Sequence, residues 1–161
     1  MITSEQIAKI LIDNNLKIAT VESCTGGLLS SKLTDISGSS AFIHLNFVTY
    51  SNEAKQNMLG VRKETIENFG AVSEDCAYEM AKGLNKITGA DICVSTTGIA
   101  GPTGGSENKP VGLMFSTIYT NDRALTFQVK FHPETPRIEM KEMFAQAVLE
   151  KLYKFLKESG F

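Results

Sequence analysis

Apolar positions change period several times along the chain, and each change marks an element. Ile7, Ile10 and Leu11 recur at helical spacing behind Thr3 and Gln6, the pair that makes a capping box, and Asn14-Asn15 stops the run. The first element is therefore a helix. From Lys17 to Val21, Ile18 and Val21 alternate with smaller residues as in a strand, and Leu28, Leu29 and Leu33 then mark a second helix. Ser23 falls in the glycine-containing turn between them. Ala41 to Tyr50 is rich in β-favouring residues and reads as a strand that ends at Tyr50. Ser51-Asn52, both good N-caps, open a short helix that carries Lys55 in its first turn and that Gly60 closes.

Ser73 caps a longer helix, with Glu74 and Asp75 in the first turn where negative charge suits the dipole. Ala77, Met80, Leu84 and Ile87 share one of its faces, and Gly89 ends it. Asp91 to Thr96 reads as a buried strand, opening into a Gly/Pro-rich loop from Thr97 to Gly105 that runs on to Pro110. A loop of that length in a compact domain is usually functional. Val111, Leu113, Phe115, Thr117 and Tyr119 alternate along a strand, Asn121-Asp122 signals a turn, and Ala124 to Phe131 returns as a hairpin partner. The last helix starts near Pro136, with Met140, Phe144, Val148, Leu152 and Phe155 on one face. Strands separated by helices predict a three-layer α/β/α domain, and the late hairpin makes its central sheet mixed. No repeat interrupts the pattern, so residues 1–161 read as a single domain.

Composition narrows the function classes. The 161 residues are 42% hydrophobic and 21% charged with a net charge of -2, the balance of an ordinary globule. Nucleic acid is not an expected partner, because such binding needs a basic surface that displaces counterions. The first residues lack the basic and apolar run of a leader, and no apolar stretch is long enough to span a bilayer. A cytoplasmic protein without a membrane partner is expected. Cys24, Cys76 and Cys93 form no disulfide set or C-x-x-C pair, so they read as reduced thiols. With two separated histidines and no clustered carboxylates, no metal is expected.

Ser23 is the first candidate for chemistry. At a strand-to-helix turn, amides without intrahelical partners can stabilise an oxyanion, although the G-x-S-x-G pattern is absent and Glu22 precedes the serine. Pattern alone favours a plain helix cap. A nucleophilic serine needs a base, yet His44 lies inside a strand and His132 precedes a proline, outside any triad context. Lys55 can serve if desolvation lowers its pKa; a solvated surface lysine is the commoner fate. Cys24 is either a rival nucleophile or a small buried side chain. The Thr97 to Gly105 loop matches neither a P-loop nor G-x-G-x-x-G, but its small residues let a ligand approach the backbone. Arg137 and Lys141, one turn apart, either share a phosphate or form a solvated face.

Several blocks occur in register: Glu22-Ser23-Cys24-Thr25-Gly26-Gly27, Phe47 through Tyr50 to Lys55, Gly70-Ala71-Val72-Ser73-Glu74, and Thr97 to Pro102 continuing through Lys109-Pro110-Val111-Gly112. Together they make the chain resemble the CinA C-terminal domain family, whose stand-alone members include bacterial nicotinamide mononucleotide deamidases. The resemblance implies hydrolysis of the nicotinamide carboxamide of that pyridine nucleotide to nicotinic acid mononucleotide and ammonia, without metal or organic cofactor. It implies Ser23 as nucleophile, Lys55 as general base and Tyr50 as a hydroxyl that orients or relays the proton. It places Cys24, Thr25, Gly26 and Gly27 with Thr97, Gly98, Gly101, Gly104 and Gly105 around the substrate, and Arg137 and Lys141 toward its phosphate. A homo-oligomer, dimer or trimer, is expected. The competing class is a nucleotide-binding regulatory module that keeps the pocket without turnover. Two departures bear on specificity: Asn46 stands where the family commonly has glycine, and Phe131-His132-Pro133-Glu134-Thr135-Pro136 precedes Arg137 where it tends to read Ser-Gly-Asp. The large N-terminal domain of full-length members, and its activity, are not expected.

Overall fold

The capping box forms as its spacing predicts: the Thr3 side chain accepts from the Gln6 amide and the Gln6 side chain accepts from the Thr3 amide. In the computed structural model, which describes residues 1–161, the elements in chain order are α1 (Ser4–Asp13), β1 (Ile18–Glu22), α2 (Leu28–Thr34), a 3-10 turn (Ser39–Ala41), β2 (Ile43–Val48), α3 (Asn52–Leu59), α4 (Lys63–Phe69), α5 (Glu74–Thr88), β3 (Ile92–Gly98), β4 (Leu113–Tyr119), β5 (Ala124–Lys130) and α6 (Arg137–Glu158). The five strands form one sheet in the order β2-β1-β3-β4-β5. β1 is parallel to β2 and β3, whereas β4 is antiparallel to β3 and β5. The sheet is mixed, as the hairpin required.

Alternate strand residues bury against opposite layers. Ile18, Ile92, Val94, Met114 and Ile118 pack with residues of α1, α2 and α6, while Ala19, Val21 and Cys93 pack with Met80 and Leu84 of α5 and Leu59 of α3. α3 and α5 approach closely because Gly83 has no side chain: a Cβ there would lie 1.9 Å from the Leu59 carbonyl oxygen. No helix is long and apolar enough to cross a membrane.

Four details differ from the pattern-based expectation. The second strand is Ile43–Val48, shorter than Ala41 to Tyr50, because a 3-10 turn takes its start and Tyr50 lies beyond its end. β3 runs on through Thr97 and Gly98, which pair with Phe115 and Met114, so the loop begins only at Ile99. β4 starts at Leu113 and is buried on both faces, since helices cover both sides of this interior strand. α4 was not legible, because its Arg62 N-cap makes no side-chain bond to the helix amides and Thr65 is its one buried residue.

The chain leaves β1 over one face through α2 to reach β2, then crosses the other face through α3, α4 and α5 to reach β3. The helices thus diverge at the carboxyl ends of β1 and β3, the crevice where open α/β sheets bind ligands. Ser23, Tyr50 and Gly98 all lie at this rim.

Candidate functional site

Ser23 follows β1 directly, and its amide donates to the Thr96 carbonyl at 3.1 Å and approaches the Thr96 hydroxyl at 3.3 Å. Gly26 and Gly27, at φ 60° and 99°, then turn the chain into α2 through left-handed conformations that favour glycine. Gly27 is the N-cap and has no side chain to offer. The missing cap is supplied by Glu22, fully buried, whose carboxylate accepts from the Leu29 amide (2.8 Å), the Ser30 amide (2.9 Å), the Ser30 hydroxyl (2.8 Å) and the Thr25 hydroxyl (2.6 Å). The amino end of α2, expected as an oxyanion site, is therefore engaged by Glu22. The Cys24 amide, by contrast, donates to no protein acceptor, and Cys24 lines the cleft.

Ser51 caps α3 by accepting from the Ala54 amide, which fixes Lys55 in the first turn with only 1% of it exposed. Its Nζ lies 3.0 Å from Ser23 Oγ and 3.0 Å from the Tyr50 carbonyl oxygen. No ion pair of the protein includes it. Burial consequently pushes the Lys55 pKa below the usual lysine value, outweighing the thiols of Cys76 and Cys24, which act in the opposite sense. A neutral amine within hydrogen-bond reach of a serine hydroxyl can take its proton. Cys24 is tuned the other way: burial first, and Glu22 further down, push its thiol up to about 12. Such a thiol is a poor nucleophile at neutral pH.

Ser23, Cys24, Tyr50, Lys55, Thr97, Gly98, Gly101, Gly104 and Arg137 line a cleft of about 270 Å³. Five other expected residues do not. Thr25 is fully buried and turned toward Glu22 and Thr96. Gly26 and Gly27 form the turn itself, backed by Lys141 Nζ and by Val48. Gly105 packs on Val111. Lys141 therefore lies over Gly26 and away from the cleft, so it does not join Arg137. The structure adds Asn52, Ala71, Val72, Ile99, Ala100 and Thr103. Ala71 and Val72 belong to a block singled out by resemblance, and the Thr97 hydroxyl ties that segment in by donating to the Ala71 carbonyl at 2.8 Å. The others carry no distinctive chemistry in their sequence.

Arg137, the first residue of α6, closes the mouth. It donates to the Tyr50 hydroxyl at 2.9 Å and to the Gly101 carbonyl, and no carboxylate pairs with it. Tyr50 thus faces two ways: its carbonyl meets Lys55, while its hydroxyl points to Arg137. Gly101 and Gly104 have φ 76° and 91°, and a side chain at Gly101 would meet Val111 at 2.3 Å. A larger cavity of about 770 Å³ lies between α3, α5 and β5; Arg62 pairs with Glu79 on its wall, and no serine, cysteine or histidine lines it. His44 and His132 lie outside the cleft, and no cluster of His, Cys, Asp or Glu is placed to hold a metal ion.

A family model described as the CinA C-terminal domain matches residues 2–156. A CinA-like protein of Chlorobium limicola is 47% identical over 157 residues, covering 96% of this chain and 37% of its own length. A CinA-like protein of Chloroherpeton thalassium is 48% identical over 157 residues with the same coverage of 96% and 37%. The chain thus spans little more than a third of these curated relatives. Among solved structures, the competence/damage inducible protein CihA from Agrobacterium tumefaciens superposes with a TM-score of 0.91 at 40% identity, covering 96% of this chain and 93% of its own. A CinA superfamily protein from Enterobacter cloacae gives a TM-score of 0.91 at 32% identity, covering 97% and 94%. With the sequence blocks, the sheet order and these matches in agreement, the chain belongs to the CinA C-terminal domain family.

Proposed function

We propose that the protein hydrolyses the carboxamide of nicotinamide mononucleotide, giving nicotinic acid mononucleotide and ammonia, with Ser23 as nucleophile and Lys55 as general base. The observation that carries this reading is the buried Lys55 amine, free of any carboxylate, 3.0 Å from Ser23 Oγ. Ser23 Oγ attacks the carboxamide carbon while its proton passes to Lys55. The negative charge on the carboxamide oxygen is met by amide donors of the Ser23 turn, among which Cys24 N–H has no protein acceptor. Protonated Lys55 then gives its proton to the departing nitrogen, which leaves as ammonia, and a water activated by the regenerated amine resolves the acyl-enzyme.

The substrate class rests on the family resemblance together with the unpaired Arg137 at the mouth, a suitable partner for a phosphate because its planar fork binds two oxygens at once. Tyr50 serves as a wall and as the carbonyl that orients Lys55. The test is ammonia release from nicotinamide mononucleotide by purified protein, with Ser23→Ala as control. Release that disappears in the variant supports the reading. Calorimetric binding of the mononucleotide without product would replace it with a regulatory binding module.

A further inference from the structure

We propose that Glu22 is the positioning residue of the Ser23 turn: its carboxylate replaces the missing side-chain cap of α2 and, through Thr25 and Thr96, holds Ser23 within reach of Lys55. The inference deepens the serine-lysine reading above and rests on it.

Glu22 is the last residue of β1, and its backbone is fixed from the other side by the Thr49 amide, which donates to the Glu22 carbonyl at 2.9 Å. A carboxylate taken wholly out of water is tolerated only when hydrogen bonds replace hydration, and four donors do so here. Two of them are amides of the first turn of α2, so the carboxylate sits on the positive end of the helix. The bond from strand end to helix start closes a ring around Ser23 to Gly27. Within that ring the Thr25 hydroxyl donates to Glu22 and touches the Thr96 hydroxyl at 2.8 Å, and Thr96 in turn takes the Ser23 amide through both its carbonyl and its hydroxyl. The backbone that carries Ser23 Oγ is thereby anchored to one carboxylate through two hydroxyls. An ordinary cap would satisfy helix amides alone; this one also encloses the nucleophile.

The same carboxylate acts on the neighbouring thiol. After burial, Glu22 is among the causes that keep Cys24 protonated. Its position thus favours the hydroxyl over the thiol as the reacting group of the turn.

Glu22→Gln keeps the shape but replaces an acceptor with a donor facing the Leu29 and Ser30 amides, and Thr25→Val removes only the hydroxyl link. Both are compared with wild type in the full chain, with folded fraction taken from circular dichroism. The readouts are kcat and KM for ammonia release, labelling of Ser23 by a fluorophosphonate, and alkylation of Cys24 by iodoacetamide across pH. For Glu22→Gln, kcat per folded molecule falls about 100-fold with KM within about threefold, since small misplacements of reacting groups cost that much. Ser23 labelling falls in the same ratio, and Cys24 alkylation sets in at lower pH. For Thr25→Val, kcat falls about tenfold. Rates within about twofold of wild type, or losses that follow the folded fraction alone, overturn the proposal. If Glu22→Gln does not fold, Thr25→Val decides by the same criterion. If wild type releases no ammonia, the substrate reading fails and the Ser23 and Cys24 labelling still judges Glu22.

Discussion

The two walls of the cleft are built on opposite plans. On the Ser23 side, side-chain polar groups already have partners within the protein: Glu22 is saturated by four donors, and Thr25 and Thr96 are bonded to each other. On the side from Ile99 to Gly105, the wall is glycine-rich backbone, tied to the rest by Arg137, whose charge meets only neutral acceptors. A wall whose bonds are internally closed holds reacting atoms in register, and one whose charge has no counter-ion can receive an anionic ligand. The comparison predicts that changes on the first wall lower kcat and that changes on the second raise KM.

The most severe break comes from the proposed base. Lys55→Met is expected to cut kcat by about a thousandfold or more, because both proton transfers lose their carrier. The same variant should be more stable than wild type at neutral pH. Burial places the Lys55 pKa in the folded protein below its unfolded value of 10.5, so the unfolded state binds the proton more readily. That deficit in stability is complete below the folded pKa, shrinks as pH rises between the two values, and is gone above 10.5. Thermal melts should therefore show the variant ahead by a few degrees at neutral pH, with the gap narrowing in alkali. A lower melting temperature would show that Lys55 is stabilised by a partner. In wild type, kcat/KM should rise with pH through the lowered Lys55 pKa and level off before 10.5.

On the second wall, Arg137→Ala is expected to raise KM about 10- to 100-fold for the phosphorylated substrate with kcat changed less than about threefold. An equal loss in kcat would move Arg137 to the reacting side of the comparison. Gly101→Ala strains a left-handed backbone and presses on Val111, so it should cost about 1–3 kcal/mol in denaturant unfolding along with a higher KM. The smallest effect belongs to Tyr50→Phe. Its hydroxyl meets Arg137 and its carbonyl meets Lys55, so kcat should change less than about threefold. A loss of two orders of magnitude would restore the hydroxyl to the proton path.

The sequence disclosed most elements because capping and periodicity are local. The Thr3 and Gln6 box, the Ser51 and Ser73 caps and the glycine stops at Gly60 and Gly89 all act over a few residues, and those helices lie where the pattern puts them. α4 escaped because Lys63–Phe69 offers neither a cap nor an apolar stripe. Thr97 and Gly98 read as loop, since a glycine beside a long irregular stretch looks like a breaker until Met114 and Phe115 pair with it. Within the cleft, residue type flagged Ser23, Lys55 and Arg137. It could not show that Lys141 turns back over Gly26, which depends on where α6 crosses α2. Nor could it show that Ala71 and Val72 reach the cleft from a segment between two helices, because they contribute shape and no reactive group.

Gly83 sets a dimension that lies outside the chemistry. Leu59, whose carbonyl leaves no room for a side chain at Gly83, is one helical turn beyond Lys55 on the same buried face of α3. The seat of α3 on α5 therefore acts as a gauge for the gap between Lys55 and Ser23, adjusted from the far side of the helix pair. A directed-evolution campaign that sought to slow or retune the proposed hydrolysis without touching a cleft residue would find its control there, where one added methyl group displaces the whole lever that carries the lysine.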